Sequence, residues 1–265
     1  METLVGKAGD SAIPYALILA EQLSSSFLKY ANQDDDGLEM SDDWETAIGC
    51  LDGLKQIVST CKARPDIIAK IEHFALPVIG HSLTQLGMEV TDDGLDLLTL
   101  LLRFSEKVNP KAWLMLPVLC EMAVGHGSED ATLKEIEEKD GGWGYEFVPN
   151  MMLPFQNFIA RDTDYFIENY LGLVLSTCEK IMAISSSRPN DEEVEFIVVA
   201  QIWLALLECS KRPKIDHVVP QLLEVLVREL SRNHKESDKR VKAMLLQVLA
   251  MLFFYNAPLV LSLLA

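Results

Sequence analysis

The apolar positions of this chain recur at the spacing of amphipathic helices. From Val241 to Leu252 they follow i, i+3, i+4, i+7, i+8 and i+11, and the stretch from Ile215 to Leu230 nearly repeats that order. Strict alternation of apolar and polar residues, the pattern of a half-buried strand, forms no convincing run. The pattern therefore predicts an all-α fold.

The helices recur in pairs with a period near 40 residues, which is typical of HEAT or armadillo repeats. Pro77 and Pro117, each after an aliphatic residue, are 40 residues apart. We expect a right-handed α-α superhelix, a HEAT-repeat solenoid of about five helical hairpins and a truncated sixth; a plain helical bundle is the alternative. The eleven predicted helices lie near 11–32, 42–62, 65–88, 92–107, 110–126, 145–160, 163–186, 191–210, 214–233, 237–255 and 258–265.

One hairpin buries too little apolar surface to offset the entropy of ordering it, so neighbours must cover each helix on more than one side. We expect the apolar residues of 259–264, among them Val260 and Leu261, to be uncovered, because no polar capping repeat follows them. We therefore expect the chain to be a piece of a longer array. An acidic insertion is expected at 127–144. The repeats are expected at 11–62, 65–107, 110–160, 163–210, 213–255 and, in part, 258–265.

The charge balance bears on the class of partner. The chain carries 40 acidic and 23 basic residues, a net charge of −17. Such a chain repels phosphate backbones, which disfavours direct binding of nucleic acid. Complementary fields favour a basic protein partner. The alternative is that the acidity only keeps an apolar protein soluble.

Sequence patterns for enzymes, metals and cofactors are missing. The five cysteines are widely spaced and form no CxxC pair, so they predict neither a zinc site nor a disulfide framework. HExxH, phosphate-loop, dinucleotide-binding and GxSxG motifs do not occur, and we expect no enzyme activity and no cofactor. One partial calcium-loop pattern has the wrong residues at its eighth and twelfth positions, so an acidic linker is favoured there. The residues at loop positions 1, 3, 5, 6 and 12 are Asn32, Asp34, Asp36, Gly37 and Asp43.

The stretch from Met244 to Ala265 has no charged residue in 22 positions, which is long enough to span a bilayer. Asn256, Ala257 and Pro258 are typical of the end of one helix and the start of another. We therefore favour two buried helices over a membrane anchor.

Several segments, taken in order, resemble helices of the importin β superfamily, and most closely its importin seven and importin eight branch. The likeness spans about residues 11 to 265. The sequence departs from the family's pattern at two places. The segment Gly127–Gly144 is longer and more acidic than expected, and Pro258 stands one residue later than the Asn-Pro pair of the pattern would place it. The matching segments are Asp42–Leu51, Leu116–Val118, Pro149–Phe158, Arg161–Asp164, Ile215–Pro220 and Leu246–Asn256.

The resemblance implies a nuclear transport receptor that carries cargo through the nuclear pore between cytoplasm and nucleus. In that family, first helices line the convex face, where Phe-Gly nucleoporins dock between them, and second helices line the concave face. Ran-GTP binds mainly through N-terminal repeats, which this chain is expected to lack. The other readings are a HEAT-repeat scaffold unrelated to transport, such as a phosphatase regulatory subunit, and an all-α enzyme.

Carboxylates on the second helices are the candidate cargo-binding groups. Stacked helices would align them into a ladder that attracts Lys/Arg-rich cargo such as ribosomal proteins or histones. The alternative is a solvated face with acids at helix starts, where the helix dipole favours them. The insertion is either an acidic lid for basic segments or a surface loop. The candidates are Glu45, Asp52, Asp92, Asp96, Glu192 and Glu195 on helices, and Glu135, Glu137, Glu138 and Trp143 in the insertion.

Overall fold

All regular structure in the described part of the chain is helical, which confirms the all-α, HEAT-type fold class. The helices belong to two compact units, which divide between Met122 and Ala123. The computed structural model describes residues 13–31, 41–125, 142–187, 194–231 and 239–265.

The first six helices are α1 Ala16–Ala31, α2 Ser41–Thr60, α3 Pro65–Ser82, α4 Thr91–Phe104, α5 Pro110–Trp113 and α6 Met115–Val124. The next six are α7 Val148–Arg161, α8 Thr163–Asn169, α9 Leu171–Ser187, α10 Val194–Cys209, α11 Val219–Ser231 and α12 Lys239–Leu264. Short 3₁₀ turns at Gln85–Val90 and Tyr145–Phe147 precede α4 and α7.

The first unit is built from two layers of helices. α1 packs against α2 as a hairpin and also against α3, while α2 packs against α4. First helices thus contact first helices and second helices contact second helices, as repeat stacking requires. Phe27 of α1, Leu51 of α2 and Ile68 of α3 are fully buried in this core.

The second unit is built around α10. This helix packs against α7 on one side and α12 on another, while α9 also contacts it and α11 contacts α12. Because three helices cover it, α10 is apolar on nearly all sides, and Trp203 at its centre is 1% exposed. Its buried residues are Phe196, Val198, Val199, Ala200, Ile202, Trp203, Ala205, Leu206 and Leu207.

In each unit, an asparagine at the start of a helix forms a hydrogen bond with a carboxylate about 40 residues earlier in the chain. Asn109 donates from Nδ2 to Glu72 Oε2 at 2.9 Å, across 37 residues. Asn256 donates from Nδ2 to Asp216 Oδ2 at 3.1 Å, across 40 residues. Each side-chain oxygen also accepts a hydrogen bond from a backbone N–H two or three residues ahead. The same residue type therefore caps its own helix and fixes its distance from the preceding repeat.

The apolar C-terminal stretch is one helix by hydrogen bonding but is broken in the middle. Asn256 has φ −152° and ψ 74°, which confirms the predicted helix boundary there. Val260, expected to be uncovered, is fully buried, whereas Leu261 is 58% exposed. Among the described residues, α12 alone is long and apolar enough to cross a membrane by length and composition.

Some predicted helices differ in extent from those observed. The helix expected at 65–88 ends at Ser82, because Thr84 accepts a hydrogen bond from the Gly87 N–H and starts the 3₁₀ turn. The helices expected at 110–126 and 163–186 are each divided into two, at Leu114 and Tyr170.

Two glycines test the packing of the first unit. In α2, a Cβ at Gly49 would meet nothing within 4 Å, whereas in α4 a Cβ at Gly94 would lie 2.4 Å from Ser82 Cβ. We expect Gly49→Ala to stabilise the protein by about 0.5–1 kcal/mol through helix propensity. Gly94→Ala should destabilise it by about 1–3 kcal/mol through overpacking. Urea unfolding midpoints measure both, and shifts of the same sign would contradict this packing.

Candidate functional site

Predicted acids of the first unit lie on two second-layer helices that pack together. Glu45 and Asp52 are on α2, and Asp92 and Asp96 are on α4; all four are exposed. In sequence the two helices carry seven carboxylates and only two basic side chains. We call the four exposed acids the acidic face. The two helices that carry it, α2 and α4, pack against each other within the first unit.

A lysine clamp joins the two helices of the acidic face. Lys55 Nζ lies 2.9 Å from Asp52 Oδ1 and 2.5 Å from Asp93 Oδ1, so it bridges α2 and α4. Burial alone lowers the pKa of Lys55, but the hydrogen bonds and charges of the two aspartates outweigh it and raise that pKa. Lys55 therefore stays charged at neutral pH and offsets part of the negative charge near Asp52.

The predicted acid Glu195 lies in the second unit, at the start of α10. It is half-buried, and Glu195 Oε2 accepts a hydrogen bond of 3.4 Å from Ser185 Oγ on α9. This contact joins α9 to α10, so the carboxylate has a packing role in addition to any role at the surface.

Trp143 packs onto the folded part of the chain. It is half-buried, and its ring meets that of Phe147 edge-on, with centroids 6.5 Å apart. The remaining predicted site residues, Glu192, Glu135, Glu137 and Glu138, lie outside the described residues, as does nearly all of the partial calcium loop. Within the described ranges, no cluster of three or more His, Cys, Asp or Glu residues has the placement of a metal site.

The second unit contains a groove between its first-layer helices, with a volume of about 290 Å³. Its floor is apolar and mostly buried. Gly172 adds space, because a Cβ there would meet nothing within 4 Å. We call this the α9–α11 groove; it is lined by Ile167, Leu171, Gly172, Leu175, Ser176, Glu179, His217, Val218 and Gln221.

The rim of the α9–α11 groove is polar. Gln221 Nε2 on α11 donates to Glu179 Oε1 on α9 at 2.7 Å and so connects the two helices at one end of the groove. Ser176 and His217 are exposed beside it. An apolar floor with a few fixed polar groups is the usual composition of a ligand-binding cleft.

Sequence reasoning did not find the α9–α11 groove. Leu171 and Leu175 are four apart and fit ordinary helix packing, and residues 217–221 lie about 40 positions further along the chain. Gly172 was the one available indication, because a glycine in a helix often marks a close approach or an opening.

Curated importins align with almost the whole chain. The "importin beta-like SAD2 homolog" of Arabidopsis thaliana is 25% identical over 265 residues, which are 100% of this chain and 24% of that protein. The "probable importin-7 homolog" of Dictyostelium discoideum is 22% identical, covering 98% of this chain and 22% of its own length. Human importin-8 is 24% identical, and the alignment covers 93% of this chain and 21% of that protein.

The chain thus spans less than a quarter of the length of each of these three relatives. No protein-family model matches it, and no solved structure matches it significantly.

Proposed function

We propose that the chain belongs to the importin β superfamily of nuclear transport receptors, since importins align with almost its whole length at 22–25% identity, and that it binds basic protein cargo during nuclear import. The observation that carries the proposal is the acidic face on two packed second-layer helices. This is a binding role rather than an enzymatic one, performed by a receptor that moves between cytoplasm and nucleus.

The electrostatics favour Lys/Arg-rich cargo, such as ribosomal proteins or histones. Exposed carboxylates on a chain of net charge −17 raise the rate of encounter with a cationic partner. Each surface pair contributes only about 0.2–1 kcal/mol, so several acids must act together. Asp92 and Asp93 also match the dipole at the start of α4, which gives them a structural use as well.

The cargo proposal predicts a salt-dependent loss of affinity when the acidic face is neutralised. Glu45→Gln with Asp96→Asn removes two exposed charges and leaves the Lys55 clamp intact. Affinity for a lysine-rich histone tail peptide should fall roughly 2- to 10-fold at low salt. The difference should shrink toward about 0.15 M salt, where charges are screened. Fluorescence anisotropy of the labelled peptide measures both effects.

The matched control is Glu208→Gln with Glu224→Gln, two exposed acids of the second unit, which changes the net charge equally. We expect it to leave the histone peptide affinity nearly unchanged. Equal losses in both double variants would mean that only net charge matters, and that result would reject the acidic face as a cargo site.

We further propose that the α9–α11 groove accepts the phenylalanine of a Phe-Gly nucleoporin repeat. The groove lies between first-layer helices, its floor is apolar, and Gly172 leaves it open. Burying a phenylalanine ring supplies roughly 1.5–3 kcal/mol, which suits a weak and rapidly reversible contact.

Filling the groove should weaken this docking. Gly172→Leu places a side chain in the open space, and binding of a Phe-Gly repeat peptide should weaken about tenfold, or ~1.4 kcal/mol. Gly49→Leu is the matched control, because it makes the same change at a helical glycine with open space in the first unit. Chemical-shift perturbation on peptide titration measures the affinity. An unchanged affinity in Gly172→Leu would remove the groove from this function.

A further inference from the structure

The α9–α11 groove changes from apolar to anionic along one helix. Leu171, Leu175 and Glu179 lie at i, i+4 and i+8 on α9, and all three line the groove. Leu171 and Leu175 are 4% and 6% exposed and form part of the groove floor, whereas Glu179 is half-buried at the rim. An occupant therefore meets hydrocarbon at one end and a carboxylate at the other.

The carboxylate is held in place. Glu179 Oε1 accepts the Gln221 Nε2 hydrogen bond at 2.7 Å, which restrains the side chain between two helices. Lys214, four residues before Val218 of the groove lining, forms an ion pair with Asp164 of α8. Among the residues that line the groove, Glu179 is the acid, and no lysine or arginine faces it there.

The spacing matches an extended peptide. Four residues of α-helix rise about 6 Å, which separates Leu175 from Glu179 along α9. In an extended chain, side chains two residues apart point to the same side and lie about 6.6–6.8 Å apart. In a segment that lies along α9, an apolar side chain beside Leu175 therefore places the side chain two residues away next to Glu179.

We propose that the α9–α11 groove selects extended segments in which an aromatic or large aliphatic residue is separated by one residue from a lysine or arginine. The inference rests on the proposed function, since it assumes that the groove binds phenylalanine-containing segments. It adds that a positive charge two residues from the phenylalanine strengthens binding. The apolar residue provides most of the binding, and the cation decides between competing segments.

Three fluorescent peptides test this selectivity: Gly-Phe-Gly-Lys-Gly and the same sequence with Gln or Glu in place of Lys. The unsubstituted protein at low salt should bind the Lys peptide roughly threefold more tightly than the Gln peptide. It should bind the Glu peptide more weakly than either of the other two. The differences should diminish toward about 0.15 M salt. Anisotropy titrations give the three dissociation constants.

Glu179→Gln removes the charge and keeps an oxygen that accepts the Gln221 hydrogen bond, so the three peptides should bind it equally. Glu208→Gln, the control on α10, should preserve the threefold preference. Gly172→Leu should weaken all three peptides, because the preference requires an occupied groove.

The outcomes separate the two proposals. If no phenylalanine peptide binds, or if Gly172→Leu leaves binding intact, the nucleoporin proposal fails and this inference fails with it. If the peptides bind in the groove with equal affinity, or if the preference for Lys persists in Glu179→Gln, only the charge selectivity is overturned.

Discussion

The long helices in the described part of the chain bury their apolar surface against neighbouring helices. An isolated helix of this length is marginal in water, and most helical stability in proteins comes from packing of an apolar face. α10 shows the constraint most clearly, since it is apolar nearly all round and packs between α7 and α12 while α9 also contacts it. A helix this apolar is stable only when other helices cover it on several sides.

This constraint decides where recognition can occur. Layered stacking covers the faces between helices and leaves one face of each layer exposed. In the first unit the exposed side chains of α2 and α4 include four carboxylates, and in the second unit α9 and α11 border an apolar groove. Hydrogen bonds such as that from Asn256 to Asp216 also align neighbouring helices, because they hold residues about 40 positions apart at a fixed distance.

Much of the fold was predictable from local patterns. Apolar spacing gave the helices, Asn109 before Pro110 marked a helix start, and Asn256 marked a break, because each of these depends on residues close in sequence. The exposure of Glu45 and Asp96 was equally predictable, since charged residues on one helix face seldom lie in a core.

The rest depended on contacts between distant residues. The Lys55 clamp joins residues 38 positions apart, and the groove needs residues from two helices about 40 positions apart. No pattern within one helix carries such information.

Amide hydrogen exchange on the intact chain is the most direct test of stability by mutual burial. Leu51→Ala removes a fully buried side chain from α2 and should cost about 2–5 kcal/mol. If the helices of the first unit stabilise one another, the most protected amides of α1, α3 and α4 should lose protection by the same free energy as those of α2. A loss confined to α2, with its neighbours unchanged, would contradict the account.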